Sequence, residues 1–336
     1  MSRAAATSKR TLSHDRSTEA TSRRTADKPH KAFRSLQSES DYQKQWCASL
    51  KLPEHLDLSE SSLWELQQYF PQRPAVEIKD TFDRSKALFA EHWHRKDVDT
   101  ASEEAIVDFY NSTDLEIFEL MKWHASVEAG ESLAPLNYFA ALEIAAHNGL
   151  MDYLDFGSGV GSAGILLARR GLNVTLADVS DPLLSFVRFR MRLRGLQANY
   201  IDLKVEQLPR EHFDILTCFD VIEHVREPLE TLRLLRDGLR TGGYLVLNIP
   251  YEEDEDHPMH IMHDGDLWRR FRGLGFTVRA DLSDAWKGVR RTSSLWILQK
   301  VERSPSMNRL VGFYDTHVPG IRTQLKISRI LRSWAT

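Results

Sequence analysis

At 336 residues the chain can hold one large domain or two smaller ones, and 42% hydrophobic residues supply material for a core. No apolar run approaches the ~18–20 residues of a membrane span, and the first residues lack the apolar block of a secretory signal. The two cysteines, Cys47 and Cys218, have neither metal-ligand nor redox spacing, which fits a reducing, cytoplasmic compartment. The net charge of −4 is unevenly spread, because residues 1–34 carry +6 and residues 303–336 carry +5, leaving −15 on the body between. So acidic a body argues against a nucleic-acid-binding face there, although the basic ends leave one open.

Residues 1–40 are rich in Ser, Thr, Arg and Ala and poor in large apolar side chains, so they are expected to be a disordered basic tail. An Arg- and Ser-rich start also suits a mitochondrial transit peptide, but the leucine stripe of an amphipathic presequence is missing. Residues 41–149 read as a helical cap and substrate region. Ser62 with Glu65, Thr100 with Glu103, and Thr113 with Glu116 have the spacing of capping boxes. Pro71 and Pro74 break the first run, and "NYFAALEIAAHNGL" ends the region at Gly149.

From 150 to 302 strands and helices alternate. The strand-like runs lie at 152–156, 173–178, 199–204, 213–219, 243–249, 276–282 and 293–300. The pattern predicts a doubly wound, Rossmann-like α/β fold: a seven-stranded parallel sheet carrying the helical cap at its N-terminal side. The last two runs are joined by only "SDAWKGVRRT", which predicts an antiparallel final strand rather than another crossover helix. Residues 303–336 form a basic C-terminal extension. Its amphipathic stretch "GIRTQLKISRILRSW" suits peripheral contact with an acidic membrane face, or packing as a helix on the acidic body.

The stretch "LDFGSGVGS" follows the first strand. A dinucleotide fingerprint requires G-x-G-x-x-G, but after Gly157 and Gly159 its third position is Ser162, with Gly161 one residue early. Asp155 at the strand end would oppose a pyrophosphate. S-adenosylmethionine has no phosphate and carries positive charge on its sulfonium and amino groups, so an acid there is an asset. Asp178 ends the second strand, twenty-one residues after Gly157, where an acid can accept from both ribose hydroxyls.

With "LDFGSGVG", "LADVS", "FDILTCFDVIEHV" and "LRTGGYLVLNIP" in this order, residues 150–300 resemble the class I S-adenosylmethionine-dependent methyltransferases. The resemblance implies that Asp155, Gly157, Ser158, Gly159, Gly161, Asp178, Val179, Phe219 and Asp220 surround S-adenosylmethionine. The family also places an acid before a Leu-Pro to hold the adenine amino group. Here "DLKVEQLP" puts Lys204 at that position between Asp202 and Glu206, and Glu206 is the candidate.

Methyl transfer is an in-line displacement, and a protonated oxygen or nitrogen acceptor needs a base or a metal. Glu223 and His224 follow the fourth strand, facing the methyl group in this fold, and form the catalytic pair, unless "IEHV" merely starts the next helix. Beyond the fifth strand "YEEDEDHPMHIMHDGDLW" brings His257, His260 and His263 behind five acids. "DVIEH" with a later His resembles the E-x-x-E-H…H metal site of small-RNA 2′-O-methyltransferases and an element of ubiquinone-biosynthesis O-methyltransferases. That likeness implies Mg²⁺, Mn²⁺ or Zn²⁺ on Asp220, Glu223, His224 and either His260 or His263, with Asp220 replacing a Glu. The bland reading is a solvated acidic loop. "NIPY" at 248–251 reads as a strand end, not as a base-stacking box. Trp123 with His124, Trp268, Trp286 and Trp296 suit an aromatic-walled pocket, though most belong in the core.

The sequence therefore predicts a methyltransferase with a small-molecule acceptor, an oxygen in the first instance. Its rivals are an RNA methyltransferase using the basic tails and a non-catalytic subunit that binds S-adenosylmethionine for a partner.

Overall fold

The computed structural model describes residues 33, 36–248, 258–261, 263, 267–291 and 294–317. The basic tail up to residue 32, the acidic run with His257, and the amphipathic stretch at 320–334 lie outside the described residues, as does the Trp268 side chain.

Six helices build the cap: α1 (Glu39–Leu50), α2 (Leu58–Tyr69), α3 (Ala75–Lys96), α4 (Glu103–Asn111), α5 (Leu115–Ala129) and α6 (Tyr138–Asn148). Their starts differ from the expected boxes. α2 is opened by a capping box of Asp57 and Glu60, which leaves Ser62 inside the helix with its hydroxyl donating to the Leu58 carbonyl. α4 starts at Ser102, whose side chain accepts from the Ala105 N–H, two residues after Thr100. α5 starts behind Asp114 without a side-chain cap. In α2 and α4 an acceptor closer to the first buried apolar residue is used, since tertiary packing decides between neighbouring caps. α6 ends as expected at Gly149 in the left-handed conformation, and α5 ends likewise at Gly130.

β1 (Asp152–Phe156), α7 (Ser162–Ala168), β2 (Asn173–Asp178), α8 (Asp181–Leu193), β3 (Asn199–Asp202), β4 (Phe213–Cys218), α9 (Pro228–Gly238) and β5 (Leu239–Leu247) make a parallel doubly wound core. α10 (Leu267–Arg270), β6 (Phe276–Val278), α11 (Ala280–Val289), β7 (Trp296–Lys300) and α12 (Pro305–His317) complete the described chain. The sheet order is β3-β2-β1-β4-β5-β7-β6, with β7 antiparallel to both β5 and β6, as the sequence predicts for the final strand.

One connection departs from expectation. The sixth strand stops at Val278, and α11 occupies most of what reads as strand and loop. The reason is side-chain spacing: Leu282, Ser283 and Trp286 fall on one helical face and are buried. Trp286 is fully buried, its Nε1–H donating to Asn137 Oδ1 of the cap at 3.1 Å, and a buried large aromatic contributes roughly 1.5–3 kcal/mol.

β1 is the switch point, because the chain leaves it for β2 on one side and reaches β4 on the other, opening a crevice beyond the strands' carboxyl ends. The cap covers that crevice. Tyr42, Trp46, Phe118 and Phe139 of the cap share a hydrophobic core with Val160, Ile165, Phe186 and Ile215 of the sheet domain. A buried ion cluster reinforces the junction. Glu65 of α2 pairs with Arg190 of α8 at 2.9 Å and with Arg194 at 2.6 Å, all three side chains being at most 3% exposed. No helix among the described residues is long and apolar enough to cross a membrane.

Candidate active site

A cavity of about 1050 Å³ lies where the cap meets the crevice. Its floor begins with the glycine turn. The N–H groups of Gly157 and Ser158 both donate to the Ala177 carbonyl, tying the turn to β2. Gly157 has φ +71°, and a Cβ there would overlap the Val221 side chain, so the close approach of two chain segments requires glycine. Gly161 also has φ +71°, but the space its Cβ would take is filled by Val187 of α8. It packs the turn onto a helix and does not line the cavity.

Asp178 lines the cavity, its carboxylate accepting from the Gly159 N–H at 2.9 Å and the Ser180 N–H at 3.0 Å. Burial pushes its pKa up, and these two hydrogen bonds oppose the rise. Ser158, Val179, Phe219 and Asp220 line the cavity as well. Asp155 does not. It stands behind the wall, 1% exposed, with Oδ1 accepting from the Thr217 hydroxyl at 2.7 Å, and burial lifts its carboxyl to about 7. Of the three charged residues around Lys204, only Glu206 lines the cavity. Lys204 instead donates to the Val179 carbonyl and pairs with Asp181 and Asp202.

At the other end β4 runs into a short 3₁₀ turn, Ile222–His224, separate from α9. Here "IEHV" is not the start of the next helix. Glu223 is 4% exposed, and burial with the nearby Asp220 charge raises its carboxyl to about 8. Its Oε2 has no hydrogen-bond partner among the described residues. His224 Nδ1 lies 3.0 Å from the Tyr110 hydroxyl, and its ring packs edge-on against His260, centroids 4.9 Å apart. One donor atom each from Glu223, His224 and His260 lie within 4.8 Å of one another.

The expected ligand set therefore contracts. His263 Nε2–H donates to the Ile222 carbonyl at 2.9 Å, and the Ile261 N–H donates to the Glu223 carbonyl at 2.6 Å. His263 thus anchors the loop that presents His260. Asp220, at φ +52°, accepts from Asn248 Nδ2 at 2.6 Å and stands outside the group of three.

The cap supplies the roof. Phe82, Phe89, Tyr110, Trp123 and Tyr138 line it, and Tyr138 meets Phe219 edge-on at 4.7 Å. His124 lines it too, its Nδ1 2.9 Å from Ser162 Oγ, and burial drives its pKa down to about 3, which keeps the imidazole neutral. Of the other tryptophans, Trp286 is core and Trp296 packs edge-on against Phe271. The sequence reading missed Tyr110, Glu116 and Asn111. Asn111 clamps the segment after β2 by donating to the Val179 carbonyl and accepting from the Asp181 N–H. Helical periodicity marks these three as α4 and α5 residues, yet nothing local says that Tyr110 and Glu116 line a cavity.

Residues 130–288 match a family model described as a methyltransferase domain. The ubiquinone biosynthesis O-methyltransferase of Nitrosospira multiformis is 32% identical over 100 residues, covering 29% of this chain and 42% of that protein. Its namesake in Shewanella pealeana is 35% identical over 98 residues, covering 28% of this chain and 42% of that protein. The chain thus spans less than half the length of these curated relatives. A crystal structure of magnesium protoporphyrin IX methyltransferase from Synechocystis with bound SAM aligns at 17% identity and a TM-score of 0.43, covering 57% of this chain and 94% of that one.

Proposed function

We propose that this chain is a class I S-adenosylmethionine-dependent methyltransferase, residues 130–288 of which match a methyltransferase-domain model, and that it moves a methyl group from S-adenosylmethionine to an oxygen of a small organic acceptor. One observation carries the reading: a single cavity is lined by the glycine turn and Asp178, by Glu223, His224 and His260, and by the aromatic roof. Gly157, Ser158, Gly159 and Asp178 would hold the cofactor, and Glu206 its adenine. The matched relatives are O-methyltransferases by name, which supports oxygen as the acceptor atom.

The acceptor oxygen attacks the methyl carbon in line. The carbon–sulfur bond breaks with its electron pair leaving on sulfur, and the hydroxyl proton passes to a base. His224 is that base. An imidazole donating Nδ1–H to the Tyr110 oxygen keeps its lone pair on Nε2, the form a base or metal ligand requires. Tyr110 stays a phenol because burial pushes its pKa well above the ordinary value.

The donor set of one buried carboxylate and two imidazoles also fits a divalent cation such as Mn²⁺, Mg²⁺ or Zn²⁺, the orphaned Glu223 Oε2 being a vacant ligand atom. A cation there would acidify the acceptor hydroxyl.

The test uses methyl-labelled S-adenosylmethionine with the purified protein and a desalted extract of the source cells. Label is expected in the small-molecule or lipid fraction; label in nuclease-sensitive material would overturn the acceptor class. If a divalent cation sits on Glu223, His224 and His260, exhaustive EDTA abolishes transfer and added Mn²⁺ or Mg²⁺ restores it. Full activity after chelation would leave His224 as a plain base.

A further inference from the structure

We propose that Glu116, on cap helix α5, is a cofactor-binding residue that closes over the ribose of S-adenosylmethionine opposite Asp178, an inference resting on the cofactor placement above. Residue 116 lies outside the 130–288 domain match, so this contact would belong to the cap and not to the domain.

The geometry begins with helical spacing. Residues 116, 120 and 124 recur every fourth position and fall on one stripe of α5. His124 Nδ1 lies 2.9 Å from Ser162 Oγ, at the start of α7. Leu120 lies directly on the turn, so that a Cβ on Gly159 would stand 2.9 Å from Leu120 Cδ1. One turn earlier the stripe reaches Glu116, which lines the cavity together with Gly159 and Asp178. α5 therefore runs along the glycine turn, with Glu116 at the end nearest the acid expected to hold the ribose.

Glu116 Oε2 is buried and has no hydrogen-bond partner among the described residues. An orphaned buried carboxyl oxygen is costly in a folded chain unless something else satisfies it. Burial first, then the charges of Asp178 and Glu119, hold the Glu116 carboxyl well above the ordinary carboxylate range, which favours its protonated form.

That state selects the ligand group. A protonated carboxyl offers one O–H donor and one acceptor, whereas the Asp178 carboxylate only accepts. A ribose hydroxyl donating to Asp178 still needs a donor for its oxygen, and Glu116 provides it. The cofactor's ammonium group, by contrast, would call for an ionised carboxylate.

Calorimetric titrations with S-adenosylmethionine and with 5′-methylthioadenosine, which keeps the ribose and lacks the ammonium group, test this. Glu116→Met, similar in size, and Glu116→Ala are both expected to weaken the two ligands by the same factor, about three- to tenfold. Glu116→Gln keeps a donor and an acceptor and is expected to bind within about twofold of the wild type, a rescue that mere space-filling would not give. Unchanged affinity in the methionine and alanine variants would overturn the proposal, as would a loss confined to S-adenosylmethionine. A wild-type protein that binds neither ligand would instead remove the cofactor placement itself.

Discussion

His224→Ala is expected to slow methyl transfer by about 10²–10⁴-fold, the usual contribution of a positioned acid or base, with little change in S-adenosylmethionine affinity. The split follows from position. The cofactor end of the cavity is built from the glycine turn and Asp178, whereas His224 sits on the 3₁₀ turn beyond β4, against Tyr110 and His260. Single-turnover rates read the chemical step and calorimetry reads binding. Tyr110→Phe should produce a smaller loss, because it removes the hydrogen bond that orients the imidazole and leaves the imidazole itself. Loss of affinity in proportion to loss of rate would move His224 from the chemistry to the architecture of the site.

Glu65→Ala is expected to destabilise the fold by about 3–5 kcal/mol, since breaking a buried pair strands the remaining charge. Here two guanidinium groups would be stranded. Arg190 and Arg194 both pair with Glu65, and Arg190 Nη1 also donates to the Val160 carbonyl inside the glycine turn at 2.7 Å. Urea unfolding of the two proteins measures the difference.

The pH dependence has a definite sign. Burial alone would raise the Glu65 pKa, but Arg190 and Arg194 outweigh it and hold the carboxyl below its ordinary value. A lowered carboxylate contributes stability above its unfolded pKa, and that contribution is lost as pH falls through the folded pKa. Wild-type stability should therefore fall more steeply than that of Glu65→Ala on acidification below the ordinary carboxylate range. Equal stabilities at neutral pH would show that the cluster contributes nothing net.

The legible parts of this molecule are those whose cause is local. Gly157, Gly159 and Asp178 were placed from sequence because a strand, a glycine turn and a strand-end acid occupy consecutive segments, and all three line the cavity. Gly161 and Asp155 belong to the same motif, yet one packs against Val187 and the other lies behind the wall on Thr217, a distinction set by α8 and β4 and invisible in the motif. His260 and His263 looked equivalent because loop spacing carries no period. Only the fold shows that His263 holds the Ile222 carbonyl while His260 joins Glu223 and His224. Glu65 read as a capping residue because its neighbour Ser62 has the right spacing, whereas its true partners lie 125 and 129 residues away. Tyr110 carries no signal and Glu116 only that of a capping box, since a cap helix declares its apolar stripe but not the cavity that one end of it overhangs.

The proposed function rests on S-adenosylmethionine being held in this cavity by its ribose on Asp178. It is tested most directly by titrating the wild-type protein and Asp178→Ala with S-adenosylmethionine. Saturable binding is expected of the wild type, and affinity weakened about tenfold or more in the variant, which loses charge-assisted hydrogen bonds to two hydroxyls. Near-normal affinity in Asp178→Ala would contradict it.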